Sequence, residues 1–357
     1  MNTSLRAWLN PYLSNPERVN LWGCLLLFIL AIVCLGDAMT PVIVAIIIAY
    51  LLQWPISFLR RLHFPRIVAV LLVYSIFMSL VIGLWGLIIP LLLKQLKNLL
   101  AELPQITTRI QILLLHLHEK YPQYISLEQI QSLTAESKQV VNYAIQWILS
   151  MSLTSIPNMI VLSIYLVLVP LLVYFFLMDQ QKILTWLVSF LPQQKQLITE
   201  VWTEVYTKTG HYVRGKALEI IIVWVITTGS FAWLELPYSM LLGLLTGISV
   251  VIPYIGAVLV TIPIVIVGFL EWGWSPDFGY LLGIYGLINL LDANILFPLL
   301  FAEAMALHPV AIMIATLVFG ALLGFWGIFF SIPLAVLAKT LLNIIRQSNA
   351  LSIEKDH

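Results

Sequence analysis

Long apolar runs separated by short polar breaks make up the first quarter of the chain. The runs cover residues 21–35, 42–59 and 67–93, with Gly36 and Asp37 between the first two and three arginines between the last two. Each run approaches or exceeds the ~20 residues that an α-helix needs to cross a bilayer. The pattern predicts three membrane helices, the first two joined by a very short turn.

Residues 94–154 follow a different pattern, in which apolar residues recur at steps of three and four. This spacing predicts an amphipathic helix or a helix pair, with Pro104 in the first turn of the second helix. Ser126 and Gln129 then have the spacing of a capping box that opens another helix. Two interpretations stay open: a helical subdomain that packs on itself, or a near-heptad surface that meets a neighbouring subunit.

A fourth apolar run, at 158–178, precedes a basic amphipathic stretch that ends near Arg214 and Lys216. Basic residues beside an apolar stripe are typical of a helix that lies on anionic lipid. This stretch is therefore predicted to be an interfacial cytoplasmic helix. The fifth run, at 217–234, is predicted to be the next membrane helix.

The last third of the chain contains three longer apolar blocks, at 239–270, 278–297 and 309–345. Pro253 and Gly256 interrupt the first of these blocks. The first and third blocks are long enough to be tilted broken helices or re-entrant hairpins, and the sequence favours neither.

Composition places the chain in the membrane class. Of its 357 residues, 61% are hydrophobic and only 10% are charged, whereas soluble domains average about 25% charged. The predicted fold is all-α: a polytopic helical membrane protein with eight apolar segments and an external helical subdomain. The N-terminal membrane helices are predicted at 1–93, an extracytoplasmic amphipathic region at 94–154 and a membrane helix at 155–178. A basic cytoplasmic interfacial helix is predicted at 179–216, a C-terminal core at 217–345 and a cytoplasmic tail at 346–357.

Charge and cysteine content bear on the partners, the membrane orientation and the disulfide bonding of the chain. The net charge of +1 and the lack of a basic patch argue against nucleic acid as a partner. Most of the 18 Lys and Arg residues fall on the cytoplasmic side when both termini are placed inside, as the positive-inside rule favours. Cys24 and Cys34 lie too far apart on one predicted helix to bridge, so they are interpreted as small buried hydrophobes.

Polar side chains inside the 278–297 block are the candidate chemistry. Tyr285, Asn289 and Asp292 share one helix face because they are spaced by four and three residues, whereas Asn294 lies on the other side. A carboxylate at membrane depth costs at least ~2.5 kcal/mol, so it faces protein or a water-filled cavity. Asp292 is interpreted either as a structural acid bonded to a neighbouring helix or as a site that binds or relays a cation or proton.

The segment Pro253-Tyr254-Ile255-Gly256 has two interpretations as well. It is either a kink absorbed by packing, or a break between helices whose freed carbonyl and N–H groups line a transport path. Glycines in the last half of the chain are predicted to allow close helix packing or hinging. They are Gly215 and the pairs Gly243 and Gly247, Gly279 and Gly283, and Gly320 and Gly324.

Near-matches to enzyme motifs are rejected. Residues 210–217 nearly spell a phosphate-binding P-loop, but Ala217 replaces the Ser or Thr that ligates magnesium, and no strand precedes it. Ser249 and His308 are too few to define an intramembrane protease dyad. No carboxylate pair is predicted within the apolar runs, and we expect no metal, no cofactor and no catalytic residue.

Short motifs in a fixed order give the chain a family resemblance. They are Tyr212-Val213-Arg214-Gly215-Lys216, Val251-Ile252-Pro253-Tyr254-Ile255-Gly256, Asp292-Ala293-Asn294-Ile295-Leu296-Phe297-Pro298, His308-Pro309, Phe319-Gly320-Ala321-Leu322-Leu323-Gly324-Phe325-Trp326-Gly327 and Ile332-Pro333-Leu334. Their order, and the layout of the whole chain, resembles the autoinducer-2 exporter family of bacterial permeases, in its PerM-like branch. The resemblance implies an inner-membrane exporter or carrier of small molecules that forms a homo-oligomer, and some members are linked to sodium or proton antiport. Many members have Glu where this chain has Asp292, which keeps the charge but shortens its reach.

The resulting hypothesis is a transporter of the bacterial inner membrane, in contact with the lipid bilayer and a small-molecule substrate. Asp292 with Asn289 would bind the coupling proton or sodium ion. The runs at 239–270 and 278–297, within the transport core at 217–345, would form the transport path. Two alternatives come from other classes of protein. One is a non-transporting scaffold that binds partners through residues 94–154, and the other is an intramembrane enzyme.

Overall fold

The computed structural model describes residues 36–120, 126–153, 156–189, 196–253, 255–301 and 308–339, and every regular element in these ranges is helical. The α-helices are α1 (Thr40–Arg61), α2 (Arg66–Gly83), α3 (Ile89–Lys120), α4 (Leu127–Leu153), α5 (Ile156–Met178), α6 (Gln180–Ser189), α7 (Gln196–Trp233), α8 (Ser239–Ser249), α9 (Ile255–Trp272), α10 (Pro276–Leu291), α11 (Phe297–Phe301) and α12 (Pro309–Phe329). Two π-helical segments join neighbours: Leu84–Ile88 between α2 and α3, and Asp292–Leu296 between α10 and α11. The first predicted run and both cysteines lie outside the described residues.

Six helices in the described ranges are long and apolar enough to cross a bilayer, or seven if the α5–α6 pair, bent by 84°, counts as one. Large apolar side chains cover their outward faces. Leu80, Leu87, Val167 and Leu299, for example, are each more than two-thirds exposed. Apolar surface on this scale is stable only against lipid or another protein. The prediction of a polytopic helical membrane protein is confirmed.

The N-terminal helices form a small bundle. Small residues on α1, α2 and α5 meet at its centre, where Ala45, Ala69 and Val173 are fully buried. Small side chains at such a contact let helix backbones approach closely. This bundle supports the C-terminal helices through α1, whose Thr40 Oγ1 accepts a hydrogen bond of 3.1 Å from Trp326 Nε1.

The amphipathic region consists of two helices, α3 and α4, that pack against each other. α3 runs from Ile89 through Pro104 to Lys120, so Pro104 lies inside one helix and does not begin a second. That part of the prediction was wrong, because the apolar stripe continues across the proline and stabilises the helix by packing. The capping box is confirmed: Gln129 N donates to Ser126 Oγ over 3.2 Å, and Ser126 N donates to Gln129 Oε1 over 3.0 Å.

The basic stretch and the fifth apolar run belong to one continuous helix, α7, of 38 residues. The boundary predicted at 216/217 therefore falls in the middle of a helix, and the apolar part begins earlier, at Tyr206. Lys216 was predicted to belong to the basic interfacial stretch. It is fully buried and not at the lipid surface, because other groups inside the protein neutralise its charge.

The block at 239–270 folds back on itself. α8 ends at Ser249 and α9 begins at Ile255. Leu242 on α8 and Ile264 on α9 share one buried cluster, although a straight helix would separate them by about 33 Å. A Cβ on Gly256 would collide with the Ser249 carbonyl oxygen, so the two arms meet closely beside the turn. We call α8, α9 and the turn between them hairpin 1.

The last apolar block also reverses direction. Thr316 Oγ1 donates to Ser331 Oγ over 3.1 Å, whereas a straight helix would hold these residues about 22 Å apart. The reversal occurs at Gly324, whose φ of 60° and ψ of −140° lie in a region that only glycine tolerates well. α12 has the length of a membrane crossing, but its chain reverses at Gly324, within that length. We call residues 309–339 hairpin 2, and both blocks that the sequence left open are therefore hairpins.

Replacing Gly324 with alanine is expected to destabilise the protein by roughly 1–3 kcal/mol, because a Cβ is strained at this backbone conformation. Gly283→Ala is the matched control, since Gly283 is helical and a Cβ there meets open space. Thermal unfolding of the detergent-purified protein should show a lower midpoint for Gly324→Ala only. Equal midpoints for the two variants would contradict the turn at Gly324.

Candidate functional site

Buried polar groups line the inner face of α7. Every third or fourth side chain there is at most 5% exposed: Tyr212, Lys216, Glu219, Val223, Thr227 and Phe231. This spacing is that of one helix face. A face that meets the protein interior therefore carries an ammonium, a carboxylate and a hydroxyl among apolar groups.

Lys216 and Glu219 form an ion pair inside the protein. Lys216 Nζ lies 2.5 Å from Glu219 Oε2, and the two side chains are 1% and 2% exposed. The same Nζ donates a hydrogen bond of 3.0 Å to the carbonyl oxygen of Val250, at the turn of hairpin 1. Buried charges persist only when they are paired and hydrogen-bonded, and both conditions are met for Lys216.

Three aromatic rings surround the Lys216 ammonium. Its Nζ lies 5.0, 5.7 and 5.9 Å from the ring centroids of Phe301, Phe297 and Tyr212, respectively. A cation within about 6 Å of an aromatic centroid is attracted by the ring. Tyr212 in turn donates a hydrogen bond of 2.8 Å to the Phe329 carbonyl oxygen of hairpin 2. Lys216 thus connects α7 to hairpin 1 and α11 directly, and to hairpin 2 through Tyr212.

Asp292 lies where α10 passes into the π-helical segment. Such segments contain an extra residue, which re-aims the side chains, and they occur frequently at functional sites. The Asp292 Oδ1 atom is buried and has no hydrogen-bond partner. Its carboxylate is within electrostatic reach of both Lys216 and Glu219. The two carboxylates come from different apolar runs and lie near enough to interact, so the prediction that the apolar runs hold no carboxylate pair was wrong.

The other polar residues predicted for α10 make hydrogen bonds elsewhere. Tyr285 Oη donates to the Ala257 carbonyl oxygen of hairpin 1 over 3.0 Å. Asn289 Nδ2 donates to the Tyr285 carbonyl, and Asn294 Nδ2 to the Leu290 carbonyl, each over 2.8 Å. Asn294 is exposed. Tyr285 holds α10 against hairpin 1, and only Asp292 of the predicted set joins the charge cluster.

The turn of hairpin 1 supplies backbone groups to the site. Val250 provides the carbonyl that accepts from Lys216, Pro253 is half-buried, and Gly256 is buried against Ser249. Tyr254 lies outside the described residues. That this segment supplies free backbone groups to a transport path remains a proposal. The Val250 carbonyl, which accepts a hydrogen bond from Lys216, is one backbone group of this kind.

Glycines bring the helices around the site close together. A Cβ on Gly215 would lie 2.8 Å from a Phe301 ring carbon, and one on Gly247 would lie 2.8 Å from the Ile220 carbonyl oxygen. Gly243 faces Thr228 across the same interface between α7 and α8, and Gly320 faces Ile328 within hairpin 2. Whether these positions also act as hinges stays a prediction.

Four of the five buried polar atoms that lack a hydrogen-bond partner in the described residues lie on α7. The five atoms are Glu219 Oε2, Trp224 Nε1, Thr227 Oγ1, Thr228 Oγ1 and Asp292 Oδ1. Glu219 Oε2 contacts Lys216 as an ion pair without hydrogen-bond geometry. Unpartnered buried polar groups are costly and therefore rare. Of the atoms with no polar partner, Asp292 Oδ1 lies at the charge cluster and Thr227 Oγ1 lies on the inner face of α7, which favours this region as the place where a polar ligand binds or passes. Trp224 and Thr228 instead lie on the side of α7 that faces α8.

Comparison with known proteins relates this arrangement to a family. Residues 23–347 match the model of a family described as AI-2E family transporter. The chain belongs to the AI-2E transporter family. It is 34% identical over 339 residues to a protein of Escherichia coli (strain K12) named as permease PerM, covering 95% of this chain and 96% of that protein. The resemblance inferred from the motifs is confirmed.

More distant members are also similar over most of their length. The chain is 26% identical over 331 residues to the AI-2 transport protein TqsA of Escherichia coli (strain K12), covering 92% of each. It is 26% identical over 309 residues to a protein of Bacillus subtilis (strain 168) named as transport protein YrrI, covering 85% of each. A transporter family implies a membrane permease and not an enzyme.

The sequence contained a signal for Lys216 and Glu219 that the prediction missed. The apolar stripe of α7 reaches Tyr212, and further steps of four and three along the same face lead to Lys216 and Glu219. Opposite charges on the buried face of one helix indicate an internal pair. Lys216 was instead grouped with the basic residues before it.

Removing each charge in turn tests the cluster. Lys216→Met leaves two uncompensated carboxylates, so it is expected to lower the free energy of unfolding by about 3–5 kcal/mol, the usual cost of breaking a buried pair. Glu219→Gln should cost less, because Asp292 still supplies a negative charge that interacts with Lys216. Denaturant unfolding followed by tryptophan fluorescence measures both. An equal or larger loss for Glu219→Gln would exclude Asp292 from the cluster.

Proposed function

We propose that the chain moves a small molecule across the bacterial inner membrane, and that one proton or sodium ion bound by Asp292 and Glu219 drives the movement. The buried charge cluster carries this proposal. Its two carboxylates and one ammonium leave one negative charge uncompensated when all three are ionised. An uncompensated charge at membrane depth is costly, so the cluster favours the binding of one further monovalent cation.

The proposed path follows the inner face of α7, between hairpin 1 and α10. The unpartnered Thr227 hydroxyl lies on this inner face, about two turns from Glu219, and Trp224 and Thr228 lie beside it on the side of α7 that faces α8. Irregular backbone is tolerated at membrane depth where it lines a cavity or is enclosed by protein. The turn of hairpin 1 and the π-helical segment at Asp292 supply such backbone on both sides of the proposed path.

The two hairpins give the proposed path two different ends. With the N-terminus in the cytoplasm, α7 runs outward, so hairpin 1 enters from the extracytoplasmic side and hairpin 2 from the cytoplasmic side. Hairpin 1 reaches Lys216, and hairpin 2 contacts Tyr212 only one turn away. Movement of either hairpin would then expose the cluster to one side of the membrane, which is what alternating access requires. We also propose that the protein is a homo-oligomer with both termini in the cytoplasm.

Asp292→Asn is expected to abolish ion-coupled transport, because the amide removes the surplus negative charge and leaves the fold intact. The measurement uses the purified protein in proteoliposomes with a pH-sensitive dye, and proton and sodium gradients are imposed in turn. Asp277→Asn is the matched control, since Asp277 is an exposed acid in the first turn of the same helix. A gradient response that survives in Asp292→Asn would refute the assignment of the ion site.

The proposed sidedness can be tested with single cysteines in a background that lacks Cys24 and Cys34. A membrane-impermeant maleimide should label Asp277→Cys in intact cells, since Asp277 follows hairpin 1. It should label His308→Cys only after permeabilisation, since His308 precedes hairpin 2. Labelling of His308→Cys in intact cells would contradict the opposite entry of the two hairpins.

A further inference from the structure

We propose that the Lys216 ammonium is an internal ligand in an ammonium-binding cage, and that it latches the turn of hairpin 1 against α7. The part that this latch plays in transport rests on the proposed function, because Lys216 pairs with Glu219, one of the two carboxylates proposed to bind the ion. The latch itself is a contact between Lys216 and the turn of hairpin 1, so it can be measured in the purified protein without a transport assay.

The groups around Lys216 Nζ are those that bind an organic ammonium ion. Phe301, Phe297 and Tyr212 present rings within 5.9 Å, Glu219 supplies the counter-charge, and Val250 supplies a carbonyl acceptor. Aromatic faces combined with anionic and carbonyl oxygens are how proteins recognise ammonium ligands. A primary ammonium also has three N–H donors, and one of them satisfies the Val250 carbonyl.

The cage closes around the end of α8. Val250 is the C-terminal cap residue of that helix, and the last carbonyls of a helix have no partner within it. A cation placed there is attracted by the helix dipole as well as by the single carbonyl. Lys216 supplies a side-chain hydrogen bond to this turn. Loss of the ammonium therefore removes a polar contact that holds the turn of hairpin 1 to α7.

The latch and the cation site share one carboxylate. Glu219 Oε2 pairs with Lys216, and a proton or metal cation that binds Glu219 weakens that pair. Cation binding to Glu219 and release of the Lys216 ammonium are linked, because one carboxylate oxygen cannot neutralise two cations equally well. A cation that reaches the carboxylates would thus loosen hairpin 1, which connects ion binding to movement of the hairpin.

The test removes the ammonium and then returns it as a free ion. Lys216→Ala deletes three methylene groups and the ammonium, which together correspond to n-propylammonium. The reporter is Val251→Cys in a background without Cys24 and Cys34, since Val251 is only 4% exposed beside the turn. We expect a maleimide to label this cysteine about ten-fold faster or more in Lys216→Ala, in line with the loss of one charge-assisted hydrogen bond. Added n-propylammonium should return most of the slow rate.

Two controls make the outcome decisive. Lys208→Ala removes an ammonium from the same helix outside the cage. In this variant, the labelling rate of Val251→Cys, and the effect of n-propylammonium on that rate, should equal those of the protein that keeps Lys208. Phe301→Leu removes one ring and keeps the ion pair, so it should accelerate labelling by a smaller factor. This variant also tests the cage if Lys216→Ala does not fold.

Unchanged labelling in Phe301→Leu and Lys216→Ala would overturn the latch. An equal slowing by n-propylammonium in Lys208→Ala would overturn the cage. No ion gradient is imposed, so the latch can be established even if the transport proposal fails.

Discussion

A charge in the interior of a membrane protein must be neutralised locally, and the C-terminal half of this chain is arranged around that constraint. The ammonium of Lys216 has almost no contact with solvent or lipid. Its neutralisation requires Glu219 on the same helix, a carbonyl from hairpin 1 and aromatic rings from α11 and α7. Three segments that are distant in sequence are therefore held at one point, and their relative positions follow from the needs of a single nitrogen atom.

The same constraint acts on the backbone. A chain that reverses inside the membrane leaves carbonyl and N–H groups without helical partners, and these must be covered by protein. Hairpin 1 meets this need with Lys216 and with glycines that bring α7 and α8 into contact. Hairpin 2 reverses at Gly324 and is held by the pair Thr316 and Ser331 and by Tyr212. Both hairpins thus depend on small residues for approach and on buried hydroxyl or ammonium groups for polar contacts.

Hydropathy predicted the helical membrane class and most helix positions, because long apolar runs have few other stable structures. Motif order predicted the family. The hairpins were beyond the sequence, since a 30-residue apolar block has the same composition whether it crosses or turns back. Asp292 was proposed as a site residue because an isolated acid in an apolar run is conspicuous. Lys216 and Glu219 were missed because Lys216 was grouped with the basic stretch before it, although the stripe of α7 continues onto both residues. The contacts of Lys216 with hairpin 1 and α11 are tertiary, and the local pattern does not contain them.

The spacing of Lys216 and Glu219 within one helix has a consequence for biosynthesis. Because the two charges lie on one face three residues apart, α7 can enter the bilayer as a unit without net charge at this point, before hairpin 1 and α10 have been made. Asp292 is synthesised later and meets an ammonium that is already in place. The order of the three charges along the chain therefore suits stepwise insertion: the acid that would enter the membrane unpaired is the last of them to emerge from the ribosome.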